Sequence, residues 1–261
     1  MRPLPARRRS TPPSPARARR SPPSDGDGRA SAPADPRRPG PEPGRPPSPG
    51  SEHTGEAAME ASRIGPNAVT RLAEAVTERH GAHAAADLFA AAGLSHHIAA
   101  PPERMVAEAD VVALHRALAG RFSAEAEAIA ADAGARTGAY LLANRIPKPV
   151  QAVLRVTPPR LAAKVLLAAV AKNAWTFAGS GVFEAHARAG ADVAVRGGPF
   201  ADPGEAAAPL RAFYAAVFEH LFRALVSPRT TAAAETGEGA CAIRLAWRRA
   251  APPLPTPVQA R

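Results

Sequence analysis

Phe183-Glu184-Ala185-His186-Ala187-Arg188 alternates apolar and polar side chains, and after Ala189-Gly190 the alternation resumes as Val193-Ala194-Val195-Arg196. Period-two patterning on both sides of a short glycine turn is the signature of a β-hairpin. The next run changes period: Leu210, Phe213, Tyr214, Val217, Leu221 and Leu225 recur at helical spacing, which predicts an amphipathic helix over 208–226. After Ser227-Pro228 a second hairpin turns through Thr236-Gly237-Glu238-Gly239, and its return strand puts Cys241, Ile243, Leu245 and Trp247 on one face. Hairpin, helix, hairpin predicts an α+β fold, an antiparallel sheet of about four strands packed with helices.

Upstream, the pattern is helical. Gly65-Pro66-Asn67 places a proline near a first helical position, and Val69, Leu72, Ala73 and Val76 follow at helical spacing over 68–80. Gly81 ends that helix, and 82–92 forms a second that Gly93 stops. Pro101-Pro102 is expected to open a helix reaching Leu118, with Val111, Leu114 and Leu118 on one side. Ser123 is expected to cap the next, which carries Ile129, Ala133, Tyr140 and Leu141. Pro147 and Pro149 force a break. Thr157-Pro158 then reads as cap and first turn of a helix over 161–175 that is apolar almost all round and therefore expected to be buried. Residues 59–178 are the mainly helical part of one globular unit, completed by hairpin, helix and hairpin at 179–248.

The ends have a different composition. Of 30 Pro, 15 lie in the first 50 residues, and residues 1–58 carry 11 Arg against six acids. Such a segment buries too little apolar surface to offset the entropy of ordering, so disordered tails are expected at 1–58 and at 249–261. Met59 opens the change to Ala/Leu/Glu-rich sequence and is a candidate translation start. The Arg/Pro tail lacks interleaved aromatics and any reading module, which argues against nucleic-acid binding, and no apolar run follows its arginines to make a secretory signal. The most apolar stretch, 165–171, falls far short of the ~20 residues a bilayer demands, so no transmembrane span and a cytoplasmic protein are expected. A single Cys, Cys241, excludes an internal disulfide framework, a four-thiolate zinc site and an iron–sulfur cluster ligated within one chain.

Several strings carry a family likeness: Arg63-Ile64-Gly65-Pro66-Asn67-Ala68-Val69-Thr70-Arg71-Leu72, Ala92-Gly93-Leu94, Pro101-Pro102-Glu103-Arg104-Met105-Val106, Ala174-Trp175-Thr176-Phe177-Ala178-Gly179-Ser180-Gly181, and 213–229. Together they resemble the bacteriochlorophyll 4-vinyl reductase family, whose C-terminal half is the 4-vinyl reductase domain, over roughly 64–247. The resemblance implies a place in bacteriochlorophyll synthesis, at reduction of the 8-vinyl group (4-vinyl in older ring numbering) of divinyl protochlorophyllide or a related magnesium tetrapyrrole. It also implies an α/β ligand-binding fold that holds apolar ligands in vesicle-tethering proteins and in sensors of aromatic effectors. It further implies two more cysteines, at places that match positions near Arg211 and Ala233 here; this chain lacks both, so a thiol-based metal or redox site is not expected.

Reducing a vinyl group needs a hydride and a proton, hence a nicotinamide, a flavin or a low-potential cluster. No Gly-x-Gly-x-x-Gly follows a strand, and Gly179-Ser180-Gly181 precedes a strand instead of opening a helix, which makes it a poor phosphate cradle. No cofactor is identifiable, catalytic residues stay unassigned, and a reductase of this sequence would draw on external NADPH or ferredoxin. Two readings stand: a pathway protein that binds the tetrapyrrole and performs or assists the reduction, or a non-catalytic carrier or apolar-ligand module that docks onto other pathway enzymes. Either is compatible with a place peripheral to the photosynthetic membrane and with a homodimer.

Candidate ligand residues follow from the pigment's chemistry. A magnesium tetrapyrrole offers an axial position to a neutral imidazole. His96 and His97, in a loop after Gly93, are placed at a pocket mouth, and His115 and His220 lie beside apolar stripes, where core-edge histidines also lie. Between 133 and 183 there is no Asp or Glu but seven Lys and Arg. That segment is a solvated face, or it meets the pigment's propionate, an anionic membrane or an acidic partner. Arg155, Arg160 and Lys164 bracket a helix start and are read as the carboxylate clamp. Trp175, Phe177 and Tyr214 are read as stacking partners for the macrocycle, although helical spacing of aromatics also suits a core. Cys241 is read as a buried, inert thiol. These residues are expected to meet in an oily slot between the helical half and the two hairpins.

Overall fold

The computed structural model describes residues 62–237 and 239–247. The expected tails, the Met59 start and Glu238 of the last turn lie outside them. In chain order the elements are β1 (Arg63–Ile64), α1 (Asn67–Ala91), α2 (His96–Ala99), β2 (Val106–Ala107), α3 (Glu108–Phe122), α4 (Ala126–Asn144), α5 (Lys148–Val156), α6 (Pro159–Lys172), β3 (Val182–Ala187), β4 (Ala191–Arg196), α7 (Ala207–Leu225), β5 (Thr231–Gly237) and β6 (Ala240–Ala246).

The predicted α+β fold is the one found. Strands run in the order β3-β4-β6-β5, every pair antiparallel, so the two hairpins join through their inner strands with Val193 opposite Ile243 and Val195 opposite Cys241. Alternation decides the two faces. Val193, Val195, Cys241, Ile243 and Leu245 point into the core, while Glu184, His186, Asp192, Arg196 and Arg244 stay exposed. Across that open face Arg196 pairs with Glu184 at 3.1 Å, and Arg244 with Glu235 at 3.0 Å.

Helix α7 packs on the inner face of the sheet, and α4 lies against α7. Small residues set that approach: a Cβ built on Gly134 would overlap the Phe213 carbonyl oxygen, and one on Gly138 would stand 2.8 Å from His220 Cβ. The two backbones therefore come closer than any ordinary side chain allows. Helices α1 and α3 complete the core with Leu72, Val76, Leu88, Phe89, Leu114 and Leu118, all buried. Gly81, at φ +87°, interrupts α1 where the sequence predicts a break.

Three expectations are corrected and one is extended. Pro101 and Pro102 do not open a helix, because Val106 first pairs with Ile64 in a two-residue ribbon too short to show alternation; α3 starts only at Glu108. Its Glu108 carboxylate accepts the Ser62 hydroxyl at 2.6 Å and the Ser180 backbone N–H at 2.7 Å, tying three segments together. Ser123 makes no cap hydrogen bond; it sits at φ +35° in a 3₁₀ turn ahead of α4. Pro147 and Pro149 do mark the expected break, α4 ending at Asn144, but they also start a helix that the sequence did not predict, α5, since a proline in the first turn removes an N–H that has no intrahelical partner anyway. Finally, α6 ends at Lys172, Trp175 occupies a separate turn, and the Thr157 hydroxyl donates to the Val153 carbonyl at 2.7 Å instead of capping α6. Leu161 and Val165 on its outer side are exposed.

Replacing a helical glycine by alanine ordinarily stabilises by about 1 kcal/mol. Gly120→Ala in α3, where an added methyl meets nothing within 4 Å, is expected to follow that rule. Gly134→Ala is expected to lose about 1–3 kcal/mol, because the methyl overlaps a backbone carbonyl that cannot step aside. Urea unfolding of the two variants checks the opposite signs.

Candidate functional site

The residues singled out from sequence do not converge. Phe177 and Tyr214 belong to the core. The Tyr214 hydroxyl donates to the Phe177 carbonyl, and burial pushes its pKa far above the ordinary phenol range. Phe177 meets Phe183 edge-on at 5.3 Å between ring centroids, Phe183 stacks on Phe218 at 6.1 Å, and Phe200 stands edge-on to Tyr214 at 5.2 Å. These rings fill the space between α7 and the sheet where the sequence placed an oily slot. They make a core because aromatic edges and faces satisfy one another at those distances.

His115 is sealed as well. It is completely buried on α3, its Nδ1–H donates to the Val111 carbonyl at 2.9 Å, and its ring stands edge-on to Phe213 at 5.7 Å. Burial lowers its pKa from 6.5 to about 4, so the imidazole is neutral at pH 7, and its Nε2 has no hydrogen-bond partner among the described residues. That nitrogen faces protein, not a surface where a pigment could arrive. Cys241 is buried too, and desolvation pushes its thiol up to about 12 against the opposing field of Arg211. A thiol with that pKa is not a nucleophile at neutral pH.

His96 and His97 lie together at the β1–β2 end of the molecule, their rings 4.0 Å apart. His96 is exposed, whereas His97 lines a shallow cleft of about 530 Å³ and holds its Nε2 3.6 Å from an Asp110 carboxylate oxygen. Arg155, Arg160 and Lys164 stand on the outside of α5 and α6. Arg155 is already engaged: it donates to the Ala224 carbonyl and to the Gln151 side chain, each at 3.1 Å. Arg160 lines a cleft of about 430 Å³ with Ser227, Arg229 and Trp247, and Trp175 is 63% exposed, away from the aromatic core. The Gly179-Ser180-Gly181 loop does hold an anion, but the anion is the chain's own Glu108.

The arrangement best suited to a planar ligand was not assembled from sequence. Alongside the contact of α4 with α7, beside β5, a groove of about 660 Å³ opens, walled by small side chains such as Ala131, Ala135, Ala212 and Ala216. That volume falls in the ~300–1,000 Å³ range of small-molecule sites. His220 and Arg211 flank it, nine residues and about 13 Å apart along α7. Neither side chain makes a hydrogen bond or ion pair among the described residues, whereas the neighbouring Arg223 is engaged by Glu219 at 2.7 Å and by the Thr230 carbonyl at 2.8 Å. Glu219 in turn accepts the Ala232 backbone N–H at 2.9 Å, fixing the β5 wall. Gly138 gives the His220 side chain its seat against α4. The signal that could have found this site is the pair Gly134 and Gly138 at i, i+4, which marks α4 as the partner α7 must approach.

No protein-family model matches the chain. It is similar to the bacteriochlorophyll synthase 23 kDa chain of Cereibacter sphaeroides, 39% identical over 196 residues that span 74% of this chain and 94% of that protein. It is also similar to the protein of the same name from Rhodobacter capsulatus, 39% identical over 171 residues that span 65% of this chain and 78% of that protein.

The buried imidazole makes a pH prediction. The folded pKa of His115 lies below the unfolded value, so acid favours the unfolded chain, which alone takes up the proton. Stability that is fully present above about pH 6.5 is expected to fall as the pH drops toward 4, by roughly 3 kcal/mol across the window. His115→Leu should flatten that part of the profile; urea unfolding at intervals between pH 7 and 4 measures it.

Proposed function

The chain belongs to the family of the bacteriochlorophyll synthase 23 kDa chain, and from that premise we propose that it binds a divinyl magnesium tetrapyrrole and assists reduction of its 8-vinyl group as a pigment-presenting partner. Bacteriochlorophyll synthesis is the process the relatives' names carry. The segment 179–248 is read as the 4-vinyl reductase domain of the resemblance. The observation that carries the reading is the alanine-walled groove flanked by an imidazole and a guanidinium that have no partner among the described residues.

Each part of that groove matches a part of the pigment. The alanine methyls offer a smooth apolar wall to one face of a flat ring. The His220 imidazole supplies one axial ligand to the substrate's magnesium. Arg211 supplies a charge-assisted partner for the propionate. The groove is open along one side, so the bound ring keeps an edge accessible to a second protein, which suits hand-over to an enzyme that brings its own hydride donor, NADPH or ferredoxin. Binding by an open groove also explains why the core can be filled by aromatic side chains without loss of function.

Titration of the full chain with divinyl protochlorophyllide tests this. A red-shifted Soret band that saturates is expected, lost in His220→Ala and weakened about tenfold in Arg211→Gln, the loss of one hydrogen bond to a charged group. With NADPH, NADH or reduced ferredoxin added, the spectrum should stay that of the divinyl pigment. Conversion to the blue-shifted monovinyl product by the chain alone would make it a reductase in its own right, and an unchanged titration in His220→Ala would remove the groove from the account.

A further inference from the structure

Helices α5 and α6 carry apolar side chains outward as well as inward. All seven large apolar side chains that are exposed among the described residues fall in one segment: Val150, Val153 and Val156 on α5, Leu161 and Val165 on α6, then Trp175 and Val182. Val156 is 84% exposed. Exposed apolar residues scattered singly need no explanation, but a set gathered on consecutive elements marks an interaction face.

The charge of the same segment is one-sided. Lys148, Arg155, Arg160, Lys164 and Lys172 stand on α5 and α6, and the sequence from 133 to 183 contains no acid to neutralise them. The acids that bound the segment are occupied elsewhere, Asp132 by Arg136 and Glu184 by Arg196, each at 3.1 Å. At the junction of α5 and α6, the cleft that holds Arg160 adds Arg229 to the basic rim.

We propose that α5 and α6 seat this protein on an anionic lipid bilayer, with the valines, Leu161 and Trp175 entering the boundary between headgroups and acyl chains and the Lys and Arg rim resting on lipid phosphates. Two short helices that present aliphatic side chains among lysines fit a medium that needs no shape complementarity. The lysine stems lie along the apolar layer while their heads reach the phosphates. A tryptophan at the rim is the side chain that prefers the interface. An acidic protein partner would instead need a concave or anchored contact, and this surface offers protruding valines. No helix among the described residues is long and apolar enough to cross a membrane, so attachment through this face is peripheral. The groove is lined by α4, α7 and β5 and by no residue of α5 or α6, so the inference does not rest on the pigment reading.

The test uses the full chain with vesicles of phosphatidylcholine alone and of phosphatidylcholine mixed with phosphatidylglycerol. Trp247 is buried at 6% exposure, so Trp247→Phe leaves Trp175 as the sole fluorescent reporter on the proposed face. Sedimentation with the anionic vesicles only, falling as salt rises, is expected, together with a blue shift of Trp175 and its quenching by lipids brominated in the acyl chain. Val156→Glu combined with Leu161→Glu, at positions already in solvent, should abolish the quenching while circular dichroism and pigment titration stay unchanged. Arg160→Gln and Lys164→Gln should each lower partitioning about fivefold. Failure to bind anionic vesicles would overturn the proposal. So would binding in which Trp175 stays open to aqueous acrylamide and the Glu substitutions have no effect, since attachment would then run through the Arg-rich segment at 1–58.

Discussion

The backbone-to-backbone approach of α4 and α7 at Gly134 and Gly138 is the constraint on which the rest of the molecule depends. Helix α7 covers the sheet, α4 covers α7, and the absence of a Cβ at two positions one turn apart fixes how near the second layer can come to the first. The consequences run in both directions. Inward, Phe213 meets His115, and Tyr214 and Phe218 reach Phe177, Phe183 and Phe200 to complete a filled core. Outward, the same contact seats His220 against α4, and a groove lies alongside it beside β5.

A filled interior changes where ligand chemistry can occur. The core imidazole, phenol and thiol are all held in their neutral forms by burial, His115 by a lowered pKa, Tyr214 and Cys241 by raised ones. None of them can work on a molecule that stays outside. On the proposed reading function belongs to the surface, which carries two separate sets of residues: a groove flanked by His220 and Arg211 beside β5, and a basic, apolar face on α5 and α6. The groove suits a flat, partly charged molecule and the face suits an anionic lipid surface.

Most of the architecture was legible in the sequence, because the elements that set it are long and strictly periodic. The alternation in 183–196 and 240–247 and the helical stripe in 208–226 each match one period and no other, and Gly81 announces its own break. Legibility failed where one residue type serves two purposes. Pro147 and Pro149 read as a stop but act as both stop and start, and the helix they open, α5, is short enough to leave a weak pattern. The apolar circumference of 161–172 reads as burial, yet Leu161 and Val165 face out, since hydrophobicity records a preference and not a location. The candidate residues failed to converge for a related reason. Imidazole, arginine and aromatic side chains were chosen for their chemistry alone, and only the packing of α4 on α7 says which of them share a space.

The most direct test of this account follows the histidines themselves. Imidazole nitrogen resonances of the ¹⁵N-histidine-labelled full chain, recorded with and without divinyl protochlorophyllide, report which ring meets the magnesium. The account predicts a large shift of the His220 nitrogens alone, with those of His97, His115 and His186 unmoved; a shift confined to any other histidine, or none with pigment bound, would contradict it.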